Sequence, residues 1–329
     1  MTAVIGDLPS NALTRITLEP LSEAAGASLM PATGGNAGNL HRITAGNPFF
    51  VPELLAAGID EAGKIPSSIT DAVAARLARL PVRERELLET ISVVPGAVQP
   101  WLLRALFGPE GEAAAERCVA RQLLIQDDAG MLRFRHELAR KATLTRLPKA
   151  AQKTIHARFE AAISDRADMA REIPLSQRVH HAAGAEDAGR VLELAPLAAK
   201  QAARLGAHRE AAAHLAAALR FVAKAPCALA AQLHEDWAYE AGLALRIDEA
   251  VIDARRRAVD LWRAQGRIDK VGHNLRWLSR LHWYRGEAEQ AGHYVDQAIA
   301  ELEAVAAGPE LAMAYSVRAQ MRMLNSRYQ

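Results

Sequence analysis

One stretch of the sequence comes close to a phosphate-binding loop. Residues 58–65 read GIDEAGKI, which has the glycines and lysine of G-x-x-x-x-G-K-[ST] but has Ile65 where a hydroxyl should hold Mg²⁺. Such a loop also needs a buried strand before it and a helix directly after it, whereas here a helical pattern precedes it and Pro66 follows at once. We interpret the segment as a linker, so the chain is not expected to hydrolyse ATP alone.

The histidines form no complete metal-binding pattern. His136-Glu137 begins like the zinc motif H-E-x-x-H, but Arg140 stands where the second histidine should be. His180 and His181 are adjacent, so we expect them to point to different faces of a helix rather than to share a metal. The sequence therefore predicts no metal site, and it contains no complete catalytic constellation, so we expect this chain not to be an enzyme.

The turn Gly46-Asn47-Pro48 is the next candidate for a binding site. It lies within LHRITAGNPFFVPELL, residues 40–55, between two helical patterns. Glycine permits a positive φ, and proline disfavours the helical conformation of the residue before it, so the first helix should end here. The aromatic pair that follows is a large apolar group beside a turn. From the residues alone, the stretch is interpreted as a helix-turn-helix corner held by core aromatics.

The composition favours a helical protein that stays in a reducing compartment. The chain has 329 residues, 5% of them aromatic, and a net charge of +2, which gives no general attraction to nucleic acid or to anionic membranes. Cys118 and Cys227 allow no disulfide framework and have no metal-ligand spacing. No apolar run is long enough to span a membrane, and the N-terminus does not resemble a signal peptide. We expect a cytoplasmic location and no membrane partner.

The pattern of the first half of the chain predicts a winged helix after an initial segment. In that segment, residues 15–18 alternate between polar and apolar, which predicts a single strand, and residues 21–30 have a helical pattern. Four helical patterns and a hairpin then follow, at 67–80, after Pro81, after Pro100, at 112–122, and at 123–125 with 132–134. The helix before the hairpin is slightly acidic, which is unfavourable for DNA binding. We expect this winged helix to pack against protein.

The second half carries a degenerate repeat. A small residue follows a polar pair at Ala211, Ala250 and Ala291, with spacings of 39 and 41 residues. Small residues at fixed offsets let antiparallel helices approach closely, which is typical of tetratricopeptide-like repeats, here lengthened from about 34 to about 40 residues. The fold class is therefore mostly α: a helical lid plus a winged-helix domain, followed by a tetratricopeptide-like α-solenoid. The chain begins with an unpaired strand and stops inside a repeat, so both ends are interpreted as truncated.

A basic and aromatic cluster lies within the repeats. Residues 246–285 contain ten basic and five acidic residues, together with Trp262, Trp277, Trp283 and Tyr284. Such a mixture can bind single-stranded nucleic acid. Because the aromatic spacing is helical, we favour aromatics in the inter-helix core and arginines on a solvent face.

Several sequence segments, in their order along the chain, resemble those of the LuxR-family regulators of the STAND class, which are AAA+-like ATPases. The segments, taken in chain order, are GDLPSNALTRITLEPLS, TAGNPFFVPELL, DAVAARLARL, ISVVPGAVQPWLLRALFG, LRFRHELARKAT and GAHREAAAHLAAAL. The resemblance implies four segments: 1–64, the end and lid of the ATPase domain; 65–147, the winged helix; 148–205, a helical linker; and 206–329, truncated repeats. The phosphate-loop core and the C-terminal DNA-binding helix-turn-helix of that class would fall outside this chain.

The resemblance also implies a site and a function. In that class a G-x-P turn places its proline against adenine, which Gly46, Asn47 and Pro48 match, and a histidine after the winged-helix hairpin reaches the phosphates, which His136 matches in position. From the residues alone, His136 is equally well a capping or surface histidine. ATP or ADP is expected only in the intact parent protein.

The implied function is the sensor part of an ATP-dependent transcriptional regulator, with an effector protein or small molecule on the repeats. DNA would be bound only by a domain absent from this chain, and self-association stays open. Two alternatives remain. The same module could belong to a signalling enzyme such as a nucleotide cyclase or protein kinase, or the chain could be a stand-alone helical scaffold.

Overall fold

The chain is described by a computed structural model that covers residues 20–29, 37–44, 46–48, 50–51, 55, 67–305 and 308–326. The strand expected at 15–18 and the segment 58–65 lie outside the described residues. The described part divides into two compact units, one ending at Gln152 and the other beginning at Lys153. The four segment boundaries expected from the sequence stay predictions. Within the ranges given above, no helix combines the length and the apolar character needed to cross a membrane.

The described part of the first unit has two short helices followed by longer ones. In chain order these are α1 (Glu23–Ser28), α2 (Ala37–Thr44), α3 (Ser67–Ala78), α4 (Val82–Ser92) and α5 (Pro100–Ala120). As expected for an N-cap, the side chain of Ser22 accepts a hydrogen bond from the backbone of Ala25. The two helical patterns predicted after Pro100 are joined across a kink at Gly108, whose φ of 64° and ψ of −163° are not helical.

A hairpin follows these helices at the predicted place. Strands β1 (Leu124–Gln126) and β2 (Leu132–Phe134) are antiparallel, with Leu124 opposite Phe134. The Asp127 carboxylate accepts hydrogen bonds from two backbone amides of the turn. Val98 also pairs with Leu132 as an isolated bridge, which the sequence pattern did not predict. Helices followed by a hairpin are the element order predicted for a winged helix.

Buried apolar and charged groups join these elements. Leu87 and Leu88 of α4, Leu102 of α5 and Leu124 of β1 are almost completely buried. The carboxylate of Glu84 is also buried, and it pairs with Arg117 at 2.8 Å and with Arg121 at 3.4 Å. Only Glu84 is buried, because the two arginine side chains are about half-exposed. Removing both arginines would leave the buried Glu84 charge uncompensated, so these contacts stabilise the packing of α4 against the end of α5.

The hairpin is followed by α6 (Glu137–Arg146) and α7 (Lys149–Asp165). The second unit then continues as a series of antiparallel helices, each packed on the next. They are α8 (Leu175–Gly184), α9 (Ala188–Arg204), α10 (His208–Leu219), α11 (Cys227–Leu243), α12 (Glu249–Ala264), α13 (Ile268–Tyr284), α14 (Ala288–Glu303) and α15 (Pro309–Ser326). One hydrophobic core extends from Val179 to Val317. The predicted α-solenoid is therefore present.

The repeat is more regular in space than its sequence markers suggested. Ala250 is exposed, and Val251 occupies the buried position shared with Ala211 and Ala291. The buried positions are therefore 40 residues apart in both intervals, and the expected marker at 250 is corrected by one residue. Leu245 (φ 64°) has a positive φ like Gly206 and Gly286, but three residues separate it from the next helix, whereas one residue follows each of the two glycines. The irregularity thus lies in a loop and leaves the packing intact.

The expectation that the arginines of 246–285 line a solvent face is wrong at two positions. Arg255 is 1% exposed, because it occupies the core position filled by Leu215 and Val295 in the neighbouring repeats. Arg276 is also buried. The expected burial of the aromatics holds for Trp262, whereas Tyr284, at the end of α13, is exposed.

Candidate functional site

The turn after α2 has a backbone that only glycine fits well. Gly46 has a φ of +68°, and a Cβ placed on it would lie 2.2 Å from the carbonyl oxygen of Leu21. The Gly46 carbonyl accepts a hydrogen bond from the Leu21 amide at 2.8 Å. Thr44 closes the end of α2, because its hydroxyl donates to the Leu40 carbonyl and accepts from the Gly46 amide. These contacts give the turn one defined conformation.

The next two residues, Asn47 and Pro48, have different roles in the turn. The Asn47 carbonyl accepts hydrogen bonds from the amides of Phe50 and Val51, so Asn47 begins the next helical turn. Pro48 is exposed. Its ring is therefore available for contact with a flat molecule, and it is held beside a turn of fixed geometry.

The structure brings His136 to this turn. The side-chain nitrogen Nδ2 of Asn47 lies 3.3 Å from Nε2 of His136, although the residues are 89 positions apart. Phe50 approaches the same imidazole edge-on, with 5.5 Å between the ring centroids. His136 occupies the N-cap position of α6, but its side chain makes no capping hydrogen bond. The sequence interpretation as a capping histidine therefore does not describe its side chain.

The surroundings of His136 favour the neutral form of its ring. Burial lowers the pKa of His136 below its usual value, and the nearby charge of Arg135 lowers it further, while a hydrogen bond with the Thr44 backbone opposes the change. Its Nδ1 is buried and has no hydrogen-bond partner among the described residues. A buried ring nitrogen without a partner is a group that a ligand can satisfy.

A cavity of about 240 Å³ opens beside these residues. Its polar lining comes from Asn47, Arg76, Gln122, His136 and Thr143. The rest of the wall is apolar: Phe50, Val73, Leu77, Leu88, Leu123, Phe134 and Ala139. An apolar cavity with a few polar groups is the usual form of a small-molecule site. Two predicted site residues, Asn47 and His136, meet here, whereas Gly46 shapes the turn and Pro48 lies outside the lining.

Positive charge adjoins the cavity. Arg76 lines it and also lines a neighbouring cleft of about 710 Å³ together with Arg79 and Arg121. One guanidinium nitrogen of Arg76 donates to the Arg121 carbonyl at 3.1 Å. The arrangement suits an anionic group near the His136 ring. Nothing in the sequence pattern marked Arg76 or Gln122, which lie on α3 and after α5.

Other reactive groups do not add chemistry here. In the parts of the chain that the structure covers, no group of three histidine, cysteine or acidic residues could hold a metal ion. Burial raises the pKa of the Cys118 thiol to about 12, so it is protonated and unreactive. The described lining therefore offers charged and hydrogen-bonding groups that can bind and orient a ligand.

Comparisons with known proteins found one solved structure to report. No family model matches the chain, and no curated protein matches it. The solved structure is that of a signal transduction ATPase with numerous domains (STAND) protein with a tetratricopeptide repeat sensor from Pyrococcus horikoshii. It is 13% identical, with a TM-score of 0.38, and the match covers 98% of this chain. The chain spans 60% of the length of that structure. A TM-score this low does not establish a shared fold or family.

Proposed function

We propose that this chain is the regulatory part of a nucleotide-dependent switch of the STAND class. The observation that supports this most directly is the 3.3 Å approach of Asn47 to His136 beside the cavity. The resemblance named both residues as parts of one nucleotide site, and they are neighbours in space although they are distant in sequence. A helical corner alone requires no such meeting of the turn with a histidine.

In this proposal the nucleotide is ADP or ATP, and each group has one role. The exposed ring of Pro48 contacts adenine, and Nδ1 of His136, which has no partner among the described residues, donates a hydrogen bond to a phosphate oxygen. Arg76 supplies positive charge nearby. The residues that hold the remaining phosphates belong to a part of the intact parent outside this chain. This chain alone is not an enzyme and binds nucleotide weakly at most.

The output we propose is LuxR-type transcriptional regulation, supported by the ordered sequence words of the resemblance. DNA would be contacted by a domain outside this chain. The helical repeats would bind an effector, and the protein would work in the cytoplasm. A signalling-enzyme parent would use the same switch with a different flanking domain, so the coding sequence on either side of this chain separates the two proposals.

The test is the ADP affinity of the intact natural protein that contains this chain. We expect Pro48→Ala and His136→Ala each to weaken ADP binding about tenfold, which is the effect of losing about 1.4 kcal/mol of interaction. Isothermal titration calorimetry measures the dissociation constant directly. Pro148→Ala is a matched control, since Pro148 is also exposed but belongs neither to the cavity lining nor to the Gly46-Asn47-Pro48 turn. Unchanged affinity in both site variants would contradict the nucleotide switch.

A further inference from the structure

A second cavity, of about 500 Å³, lies within the repeat unit. It is formed by α11, α12, α13 and the loop between α11 and α12. Its apolar lining comprises Ala238, Tyr239, Gly242, Leu243, Leu245, Ile247, Trp277, Leu281 and Tyr284. Five of these side chains are large and exposed, a local concentration that ordinary surface positions do not require. The volume falls in the range of small-molecule sites.

A buried cation lines this apolar cavity. Arg255 is 1% exposed, and one terminal nitrogen donates to the amide oxygen of Asn274 at 2.8 Å. Its Nε has no hydrogen-bond partner, and it forms no ion pair with any carboxylate in the described ranges. Burial lowers the pKa of Arg255 to about 10, so the side chain is still charged at neutral pH. A buried charge without a direct counter-ion is costly.

The nearest acidic groups are engaged with other donors. The carboxylate of Glu235 accepts from Lys270 at 2.8 Å, and from Trp262 and Asn274 at 2.9 Å each. Asp236 accepts from the amide of Gln232 at 2.7 Å. Both acids favour the charged form of Arg255 through space. They nevertheless leave its Nε, which is itself buried, without a hydrogen bond.

A second guanidinium stands at the same cavity. Arg280 lies over the Trp277 ring, 5.0 Å from its centroid, and donates to the Tyr284 hydroxyl at 2.8 Å. It forms no ion pair within the described part of the chain. The cavity therefore joins two cations to aromatic walls, and the complementary ligand is an anion with an apolar body.

The rim of the cavity includes a strained residue. Leu245 has a φ of 64° and is 88% exposed, in a turn where the adjacent repeats have glycine. A leucine in this conformation is unfavourable, and such strain concentrates at binding sites. Its backbone ends α11 as Gly206 and Gly286 end α9 and α13, whereas its exposed side chain does not pack in the core and lies on the rim of the cavity.

We propose that this cavity binds a small monocarboxylate with an aromatic or branched apolar body. The carboxylate would bond the partly exposed Arg280, with the buried charge of Arg255 adding to the positive potential from behind the cavity wall, and the apolar body would contact Trp277, Tyr239 and Leu243. The molecule would be the effector, and in that respect the assignment rests on the proposed sensor role of the repeats. Direct binding to the cavity can be measured without any nucleotide.

The test uses 3-phenylpropionate and its uncharged analogue 3-phenylpropionamide as probes of the full chain. Ligand-observed NMR should show the carboxylate binding with a dissociation constant of about 1 mM and the amide binding about tenfold more weakly. Arg280→Gln should abolish this preference, and it should leave the fold intact because Arg280 is only half-buried. Arg263→Gln, on the exposed side of α12 and outside the lining, is the matched control.

Leu245→Gly separates a binding role from a structural one. Glycine relieves the backbone strain, so the melting temperature should rise, while the loss of the rim side chain should weaken probe binding.

No binding of either probe at about 10 mM, or equal binding of both, would overturn the proposal. If the probe binds as expected while the Pro48 and His136 variants keep full ADP affinity, the pocket stands and the nucleotide switch fails. If the Pro48 and His136 variants lose ADP affinity but neither probe binds, the proposed pocket fails and the nucleotide switch stands.

Discussion

At the scale of single residues, the strictest constraint is the backbone of Gly46 beside Leu21. Any side chain here meets both an unfavourable φ and the Leu21 carbonyl oxygen 2.2 Å from its Cβ. The turn must hold Asn47 and Pro48 in place for the His136 contact, so a change at Gly46 acts on the site as well as on stability.

We expect Gly46→Ala to destabilise the first unit by about 2 kcal/mol or more, from the left-handed backbone together with the steric clash. Urea denaturation measures the loss, and the NMR signals of the His136 ring should shift because the turn is displaced. Gly206→Ala is the matched control. It shares a positive φ but meets nothing within 4 Å, so it should show only the smaller backbone penalty. Equal effects of the two substitutions would mean that the Leu21 contact is unimportant.

At the scale of secondary-structure elements, α7 and α8 meet through histidines. Nδ1 of His156 lies 3.1 Å from Nδ1 of His181, and Phe159 stacks on the His181 ring with 4.3 Å between centroids. Both histidines are buried. Burial lowers the pKa of His156 to about 4, and that of His181 well below its usual value. The packing of the two helices therefore requires at least one neutral imidazole.

This contact should make the repeat unit sensitive to acid. A lowered folded-state pKa means that the unfolded chain binds protons first. The stabilisation is complete above pH 6.5 and is lost as the pH falls toward about 4. His156 alone should account for a loss of about 3 kcal/mol across that range. Denaturation midpoints measured from pH 7 to pH 4.5 test this.

His156→Gln is the comparison for the acid effect. It keeps a polar side chain but does not titrate, so the midpoint should fall less steeply with acid. Burial raises the pKa of the Glu160 carboxyl on the same helix. Protonation of Glu160 therefore stabilises the folded state as the pH falls, which opposes the effect of His156. Because both proteins contain Glu160, the difference between their curves isolates the histidine. Parallel curves would show that the His156–His181 pair does not govern acid stability.

At the scale of the whole molecule, the repeat unit has a hydrophobic core of its own. This core begins before the first recognised repeat, since Val191, Leu194 and Ala198 of α9 share it with Ala211 and Leu215 of α10. The segment 148–205 therefore contributes packing surface to the repeats. A solenoid without its first helices exposes that surface.

We expect a fragment of residues 148–329 to unfold cooperatively on its own, and a fragment of 206–329 to be much less stable. Circular dichroism during thermal unfolding distinguishes them, and the shorter fragment should melt earlier and over a wider range. The comparison also tests the segment boundaries expected from the sequence. Equal melting of the two fragments would show that α8 and α9 are only a linker.

Local pattern was sufficient to predict most of the elements. Helical periodicity predicted α3 and α4, turn residues at 127–130 predicted the hairpin, and small residues predicted the solenoid. These features depend on neighbours along the chain. The Val98–Leu132 bridge and the burial of Arg255 depend on residues far apart in sequence, and no local signal marks them.

For the candidate site, the sequence by itself determined the turn Gly46-Asn47-Pro48 and the position of His136 after the hairpin, because glycine, proline and strand patterns act locally. Only the tertiary structure decided that Asn47 touches His136, that Arg76 and Gln122 join them, and that Pro48 is exposed. The physical reason is that a cavity is formed by side chains from separate helices. Their meeting is set by how the apolar faces pack, and no residue type or spacing encodes that packing locally.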